Sequence, residues 1–237
     1  MDKILHIDLS EQDGRNLTFY LALEEYLVEH CQEDVFFIWQ VDPTVIFGRN
    51  QDMEAEVNVE YCEKNDIRMF LRKSGGGCVY SDRGNVMLSY VTKKKDVDTT
   101  FNYFLNALVG ALSDLGINAV KSTHNDVMIG DRKVSGNAFF KTPNGSIVHG
   151  TLLYDTDFEV LQKAITPSRE KLNSHGIKSV RQRVMNLTEV CQIELGILKE
   201  HLVGYFCDKK RKLTDDELAE IEKIETTYTN SKFILGK

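Results

Sequence analysis

The chain has 237 residues, 42% of them hydrophobic, and 29 Lys and Arg against 36 Asp and Glu give it a formal net charge of −7. This length suits one large domain, or two small ones, with a sizeable core. The acidic balance argues against a nucleic-acid-binding protein, whose domain is usually basic. The chain begins without a signal-peptide core and has no apolar run that could span a bilayer, so we expect no membrane association and a cytoplasmic location.

The five cysteines are spread along the chain and form neither a CxxC pair nor a Cys/His set at zinc spacing. This pattern favours reduced thiols, as is usual for a protein of the cytosol.

Hydrophobic periodicity predicts alternating strands and helices in the first half of the chain. The predicted strands cover residues 3–9, 35–40, 44–48, 67–71 and 86–91, and the predicted helices cover residues 16–30 and 58–65. The nearly continuous apolar run at 35–40 is typical of a sheet that is covered on both faces. Glu24 lies on the apolar stripe of the first helix, where it either reaches a site or, as we interpret it, is a half-exposed helix carboxylate.

The second half is predicted to begin with a helix at 99–115 and to continue with a hairpin. Its strands cover 127–129 and 132–140, a returning strand covers 146–154, and helices follow at 157–164, 193–207 and 214–226. The last helix begins with Thr214 and Glu217 at capping-box spacing. Residues 166–183 are polar, basic and weakly periodic, which is typical of a functional or mobile segment.

Three consecutive glycines, Gly75 to Gly77, lie between the basic pair Arg72-Lys73 and an apolar run. Glycine has no Cβ, so a ligand can approach its backbone closely. Consecutive exposed N–H groups form a concavity that favours anions. The stretch is therefore either a site for a phosphate or carboxylate, or a glycine-rich turn without a ligand.

Five polar clusters follow one another along the chain: Gly48-Arg49-Asn50-Gln51, residues 72–85, Asn125-Asp126 with residues 130–138, residues 149–153, and residues 177–187. In order and spacing they resemble the signatures of the lipoate–protein ligase A family. The match spans essentially the whole chain. It implies an α+β fold with a mixed, largely antiparallel β-sheet flanked by helices, similar to the catalytic domains of biotin ligases and class II tRNA synthetases. It also implies a single catalytic domain over residues 1–237.

The resemblance implies a two-step reaction that uses ATP and Mg²⁺. Lipoate and ATP give lipoyl-adenylate and pyrophosphate, and the acyl group then passes to a lysine of a lipoyl acceptor domain, in an E2 subunit or the glycine cleavage H protein. The first step brings a carboxylate up to a polyanionic phosphate, so the site has to screen their repulsion. Lys133 is implied as the catalytic residue, and its compact ammonium suits both the lipoyl carbonyl and the α-phosphate.

The same resemblance assigns the ligand-binding residues. The implied ATP-binding residues are Arg72, Gly77, Cys78, Val79, Tyr80, Asn85, Asn125, Asp126, Lys133, Arg181 and Arg183. The implied lipoate-binding residues are Arg72, Ser74, Gly75, Gly76, Lys133, Gly136, Ala138 and His149. Asp126 is either the Mg²⁺ ligand or a capping residue in a turn. Val79 and Tyr80 also suit strand packing. We expect the basic loop with Arg181 and Arg183 to close over the adenylate and exclude water.

Three departures from the family pattern leave alternatives open. Ser81 stands where many members have histidine, and Lys73 replaces a second arginine. The chain ends at Lys237, so we expect no C-terminal accessory domain, unless a separate subunit supplies it. One alternative function is a cysteine-dependent octanoyl or lipoyl transferase, although residues 122–126 hold no cysteine and Cys78 lies in another loop. The other is a non-catalytic protein that binds lipoate or a lipoyl domain.

Overall fold

The computed structural model describes residues 4–165 and 183–228. The strands in this part of the chain are β1 Ile4–Ile7, β2 Asp34–Trp39, β3 Thr44–Gly48, β4 Arg68–Arg72, β5 Val79–Ser81, β6 Asn85–Thr92, β7 Val120–Lys121, β8 Asp126–Ile129, β9 Arg132–Thr142, β10 Gly145–Leu153 and β11 Lys209–Arg211. The α-helices are α1 Leu17–His30, α2 Met53–Glu56, α3 Val59–Lys64, α4 Val97–Asp114, α5 Phe158–Ala164, α6 Leu195–Phe206 and α7 Asp215–Glu225. Two 3-10 turns, Leu187–Glu189 and Thr226–Tyr228, complete the elements.

The strands form one large and one small sheet. The large sheet has the order β11-β1-β2-β6-β10-β9-β8-β7, and only the pairings of β1 with β2 and β11 are parallel. The small sheet has the order β4-β3-β5, in which β3 runs parallel to β4 and antiparallel to β5. The predicted mixed, largely antiparallel sheet flanked by helices is confirmed.

The large sheet is covered on both faces, as the apolar run in β2 predicted. Val35 and Phe37 pack with α1 and α7 on one face, and Phe36 packs with α4 and α6 on the other. A third apolar cluster, which includes Val45, Phe47 and Leu161, joins the small sheet to α3 and α5. The sheets are thus rigid supports for the loops between their strands.

The route of the chain through the glycines differs from the prediction. We expected the glycines to join strands at 67–71 and 86–91, but the short strand β5 comes first and pairs with β3. With three residues, β5 is too short for a periodicity signal. The predicted capping box at the start of α7 is confirmed, since Thr214 and Glu217 exchange side-chain to backbone hydrogen bonds. Of the helices in the described ranges, none has the length and hydropathy that crossing a bilayer requires.

Candidate active site

The glycine loop, residues 73–78 between β4 and β5, is folded around the side chain of Arg72. Arg72 is 5% exposed. Its Nε donates to Ser74 Oγ (3.0 Å) and Gly75 O (3.2 Å), and its Nη2 donates to Gly75 O (2.8 Å) and Gly77 O (2.7 Å). Its Nη1 donates to Ile46 O at 3.1 Å. Burial lowers the pKa of Arg72 to about 10, which still leaves the guanidinium charged at neutral pH. The buried guanidinium of Arg72 therefore fixes the conformation of the glycine loop.

Two glycines are required for this loop to pack. Gly76 has φ +96°, in the left-handed region that favours glycine. A Cβ on Gly48 would overlap the carbonyl oxygen of Gly76. The N–H of Arg49 donates to Ser74 O at 3.1 Å, so the first predicted signature lies against the second. A Cβ on Gly75, by contrast, would meet no atom within 4 Å, which leaves that side of the loop open.

A chain of hydrogen bonds joins the loop to α1 through the large sheet. Ser74 Oγ lies 2.7 Å from His149 Nε2, and His149 Nδ1 lies 3.0 Å from Glu24 Oε2. Ser89 Oγ donates to Glu24 Oε1 at 2.6 Å, and Trp39 Nε1 donates to Ser89 Oγ at 2.8 Å. Glu24 is 2% exposed, so its interpretation as a half-exposed carboxylate was wrong. Glu24 can be buried because Ser89 on β6 and His149 on β10 are its hydrogen-bond partners.

The next residue of α1, Glu25, contacts the same loop. Lys73 Nζ lies 2.7 Å from Glu25 Oε1 and 4.5 Å from the ring centroid of Tyr228. The hydroxyl of Tyr228 also donates to the Glu25 carboxylate. Lys73 is thus held between the first helix and the last turn of the described chain.

Lys133 lies on β9 and points along the strand to Asp126 on β8. Its Nζ lies 2.9 Å from Asp126 Oδ1, with 35% of the Lys133 side chain and 29% of the Asp126 side chain exposed. On the backbone, Lys133 pairs with Val184, and the N–H of Met185 donates to Lys133 O at 3.0 Å. Arg183 is half-buried and precedes this contact, so it lies next to the Lys133 strand. Arg181 lies outside the described residues.

Asn125 is fixed to β9 by reciprocal hydrogen bonds with Asn137. The Asn125 side chain donates to Asn137 O, and the Asn137 side chain donates to Asn125 O at 2.8 Å. A Cβ on Gly150 would overlap the Asn137 side chain, so Gly150 makes room for it. We did not predict Asn137 as a site residue, although it stands between Gly136 and Ala138 in the third signature.

The residues from Gly77 to Asn85 that we predicted to bind ATP differ in their burial. Gly77 is exposed and Cys78 and Val79 are half-buried, whereas Tyr80 and Asn85 are buried. Tyr80 packs in the core of the small sheet, where burial, followed by the negative charge of Asp82, raises its pKa. The Asn85 side chain donates to Tyr80 O at 3.5 Å. The contacts of these residues with a nucleotide stay predictions.

Ser81 is fully buried, and its hydroxyl has no hydrogen-bond partner among the described residues. It ends β5, opposite Thr44 on β3. The departure from the family pattern at this position therefore lies inside the protein.

A cavity of about 460 Å³ opens between the glycine loop, α4 and β9. Its walls include Gly75, Gly76 and Ala138, together with Asn125 and the aromatic rings of Phe101 and Phe139. A Cβ on Gly76 would lie 3.8 Å from the Cβ of Ala138, so the loop and β9 meet here. Small residues and aromatic rings suit an acyl chain. Three of the predicted lipoate-binding residues are thus brought together.

The described part of the site offers cations and the accessible carboxylate of Asp126 rather than a preformed metal centre. Over residues 4–165 and 183–228, no group of three or more His, Cys, Asp and Glu side chains is placed to hold a metal ion. Asp126 is the predicted ligand, and its Oδ1 is paired with Lys133.

Comparison with known proteins gives a consistent result. The profile of the lipoyl protein ligase A/B catalytic domain matches residues 16–207. Lipoate-protein ligase LplJ of Bacillus subtilis is 40% identical over 231 residues, which cover 92% of this chain and 70% of the relative. Lipoate–protein ligase 1 of Staphylococcus aureus is 36% identical over 226 residues, covering 91% of this chain and 69% of the relative.

Two solved structures share the fold over nearly the whole chain. A bipartite lipoate protein ligase from Thermoplasma acidophilum, described with its E2 lipoyl domain, has a TM-score of 0.86 and 27% identity, and the match covers 100% of this chain and 97% of the other. A putative lipoate protein ligase of the same organism with bound lipoic acid has a TM-score of 0.81 and 25% identity, covering 95% and 99%.

Proposed function

Since the chain belongs to the lipoyl protein ligase A/B family and is a lipoate–protein ligase, we propose that it works in two ATP-dependent steps. In the first, a carboxylate oxygen of lipoate attacks the α-phosphorus of ATP, and the bond to pyrophosphate breaks. In the second, the neutral ε-amine of an acceptor lysine attacks the acyl carbonyl of the adenylate, AMP leaves with the bonding electrons, and the amine loses a proton.

The observation that carries this proposal is the position of Lys133. Lys133 lies on β9, the strand that also provides Ala138 to the cavity wall, and its ammonium is held by Asp126 on β8. A fixed cation in a half-buried site stabilises negative charge that develops on the phosphate and on the carbonyl oxygen. Because the ammonium is held before substrates arrive, little reorganisation is needed when they react.

Asp126 is the residue that we propose for Mg²⁺. Mg²⁺ is usually bound by one or two carboxylates together with substrate phosphates and waters, so a single carboxylate in this position suits it. The ion supplies charge neutralisation on the phosphates of ATP. Asp126 has a second task without the ion, which is to orient Lys133 through the 2.9 Å ion pair.

The glycine loop and the cavity are the proposed acyl site. Gly75 and Gly76 expose backbone at the cavity wall, and the aromatic rings of Phe101 and Phe139 line its apolar part. We propose that the carboxyl end of lipoate lies toward Lys133 and that Ser74 and His149 fix the loop behind it. Arg183, next to the Lys133 strand, is proposed to bind the adenylate. For Arg181, outside the described residues, we propose only the ATP-binding role that the resemblance implies.

The proposed acceptor is a lipoyl domain. The bipartite ligase of T. acidophilum, which this chain resembles over its full length, is described with its E2 lipoyl domain. The acceptor has to present a single lysine to the adenylate. By the family resemblance, we expect the lipoyl domains of E2 subunits and the glycine cleavage H protein to be such acceptors. A panel of such domains, weighed by mass spectrometry after incubation with enzyme, ATP and lipoate or octanoate, identifies the acceptor and the preferred acid.

Pyrophosphate release separates the ligase from its alternatives. With ATP, Mg²⁺ and lipoate, we expect lipoate-dependent release and, with an acceptor domain, an acylated lysine. Absence of that release, also with an accessory subunit added, contradicts the ligase mechanism and favours a binding protein. An acyl adduct on a cysteine, formed without ATP, favours the transferase instead.

A further inference from the structure

We propose that Glu24 is a positioning residue of the acyl site, which acts through His149 and Ser74 on Arg72. We call these four side chains the Glu24 relay. Only the identity of the acyl substrate rests on the proposed function, since the relay itself follows from the geometry of the chain.

For a neutral His149 ring beside an ionised Glu24, the partners of the relay leave one arrangement of protons. A carboxylate only accepts hydrogen bonds and a guanidinium only donates them. Arg72 Nε therefore donates to Ser74 Oγ, whose single hydrogen is free to point at His149 Nε2, 2.7 Å away. His149 Nε2 then accepts, so the ring proton sits on Nδ1 and is donated to Glu24 Oε2 at 3.0 Å. Glu24 thus sets the tautomer of His149 and, through it, the direction of the Ser74 hydroxyl.

The Glu24 carboxylate is itself prevented from rotating. Its second oxygen accepts from Ser89 Oγ, and Ser89 is held in turn by Trp39 Nε1. Both side chains belong to neighbouring strands, β6 and β2, of the large sheet. Buried polar networks in which each group has a partner are rigid and specify one arrangement. The relay therefore fixes the position of the glycine loop relative to the large sheet.

The end of the relay controls the part of the loop that reaches the cavity. Arg72 Nε is shared between Ser74 Oγ and Gly75 O, and its Nη2 binds Gly75 O and Gly77 O. If the Ser74 side chain turns away, Arg72 loses its hydrogen bond to Ser74 Oγ and keeps those to Gly75 O, Gly77 O and Ile46 O. Gly75 and Gly76 are then held less firmly in the cavity wall. Lys133 and Asp126 lie on β9 and β8, outside the relay, so substrate affinity depends on it more than the chemical step does.

The test uses Glu24→Gln, which keeps the shape of the side chain. An amide offers one acceptor and one donor group, so either His149 or Ser89 faces a group that cannot accept its hydrogen. We expect the Kd for lipoate, measured by calorimetry, and its KM to rise about tenfold or more, with kcat within about threefold of wild type. Glu29→Gln, on the same helix with its carboxylate at Asn144 on the surface, is the matched control and leaves both values unchanged.

A spectroscopic readout separates positioning from stability alone. The ¹⁵N shifts of the His149 ring, assigned by their loss in His149→Ala, are expected to show a protonated Nδ1 and an accepting Nε2 in the wild type. In Glu24→Gln we expect a changed or mixed tautomer. An imidazolium in the wild type, or wild-type shifts and lipoate affinity in a folded Glu24→Gln, would overturn the proposal. So would an acyl adduct on Ser74, since Ser74 would then be a nucleophile.

A second variant keeps the proposal testable if Glu24→Gln does not fold. Ser89→Ala removes one restraint on the Glu24 carboxylate and leaves His149 in place, so we expect a smaller rise in the Kd for lipoate. An unchanged Kd in Ser89→Ala contradicts the proposal. The ring-nitrogen measurement needs no turnover, so it tests the relay even if the enzyme releases no pyrophosphate and the ligase mechanism itself fails.

Discussion

Gly136 makes room for the side chain of Lys133. A Cβ built on Gly136 would stand 2.5 Å from Lys133 Nζ and 2.6 Å from its Cε. Gly136 is not among the glycines with positive φ, so the requirement is steric rather than conformational. The absence of a side chain at 136 lets the ammonium lie back along β9 to reach Asp126.

Gly136→Ala is therefore expected to displace the ammonium while the fold survives, because the atoms in the way belong to the flexible end of a lysine. A shift of about 1 Å in a catalytic group can cost roughly a hundredfold in rate, so we expect a loss of that order in pyrophosphate release. Stopped-time assays with thermal unfolding on the same samples measure both effects.

Gly204→Ala is the control for this substitution. Gly204 lies in α6 on the surface, and a Cβ there would meet no atom within 4 Å. We expect full activity and a gain in stability of about 0.4–1 kcal/mol from reduced freedom of the unfolded chain. Equal activity in Gly136→Ala and Gly204→Ala would mean that the position of Lys133 Nζ does not govern the reaction.

Lys133→Ala is expected to abolish both adenylate formation and acyl transfer without unfolding the protein. Removal of one charge-stabilising group typically costs about 10²–10³ in kcat. Both steps are followed separately, by pyrophosphate release and by acyl transfer from synthetic lipoyl-adenylate. Lys141→Ala, on an exposed position of the same strand, is the matched control. Near wild-type rates in Lys133→Ala would refute the catalytic assignment.

Asp126→Asn separates the two tasks proposed for this carboxylate. Loss of the ion pair frees Lys133, so the rate of pyrophosphate release should fall about tenfold, as for loss of a hydrogen bond between charged groups. If Asp126 also binds Mg²⁺, the Mg²⁺ concentration for half-maximal rate should rise as well. A slower enzyme with an unchanged Mg²⁺ requirement would leave Asp126 with the positioning task alone. Asp131→Asn, in the exposed turn between β8 and β9, serves for comparison.

Cys78→Ser is expected to keep adenylation and transfer, because the adenylate route needs no thiolate. Cys62 and Cys207 are poor nucleophiles, since burial, reinforced by Glu63 and Asp208 respectively, raises the pKa of their thiols to about 11 and about 12. Mass spectrometry of wild-type enzyme after reaction should find no acyl-cysteine. A thioester at Cys78, together with loss of transfer in Cys78→Ser, would instead establish the transferase mechanism.

The part of the site that lies within one hairpin could be predicted from the sequence. Asp126, Lys133 and Gly136 fall on β8 and β9, where pairing brings residues close in sequence together in space. The hairpin predicted from 127–129 and 132–140 is therefore what places these residues near one another. The β-bulge at Val127 and Met128, which shifts this pairing, left no pattern in the sequence.

The buried network behind the loop could not be predicted. Glu24 and His149 are 125 residues apart, and the periodicity of α1 places Glu24 on the apolar stripe without indicating what lies opposite. A carboxylate at such a position is normally exposed, because burying it unpaired is costly. Only the assembled sheet shows that His149 and Ser89 are present to satisfy it.

The contact of Lys73 with Glu25 and Tyr228 defines how far the chain can be shortened. The family match ends at residue 207, yet Ile221 of α7 and Tyr228 lie in the core cluster beside α1. A version of the protein that ends at residue 207 would keep each residue proposed to contact substrate. It would nevertheless expose α1 and remove the ring of Tyr228 that lies beside Lys73. For anyone preparing a minimal catalytic fragment, the boundary therefore lies beyond Tyr228, about twenty residues after the end of the family match.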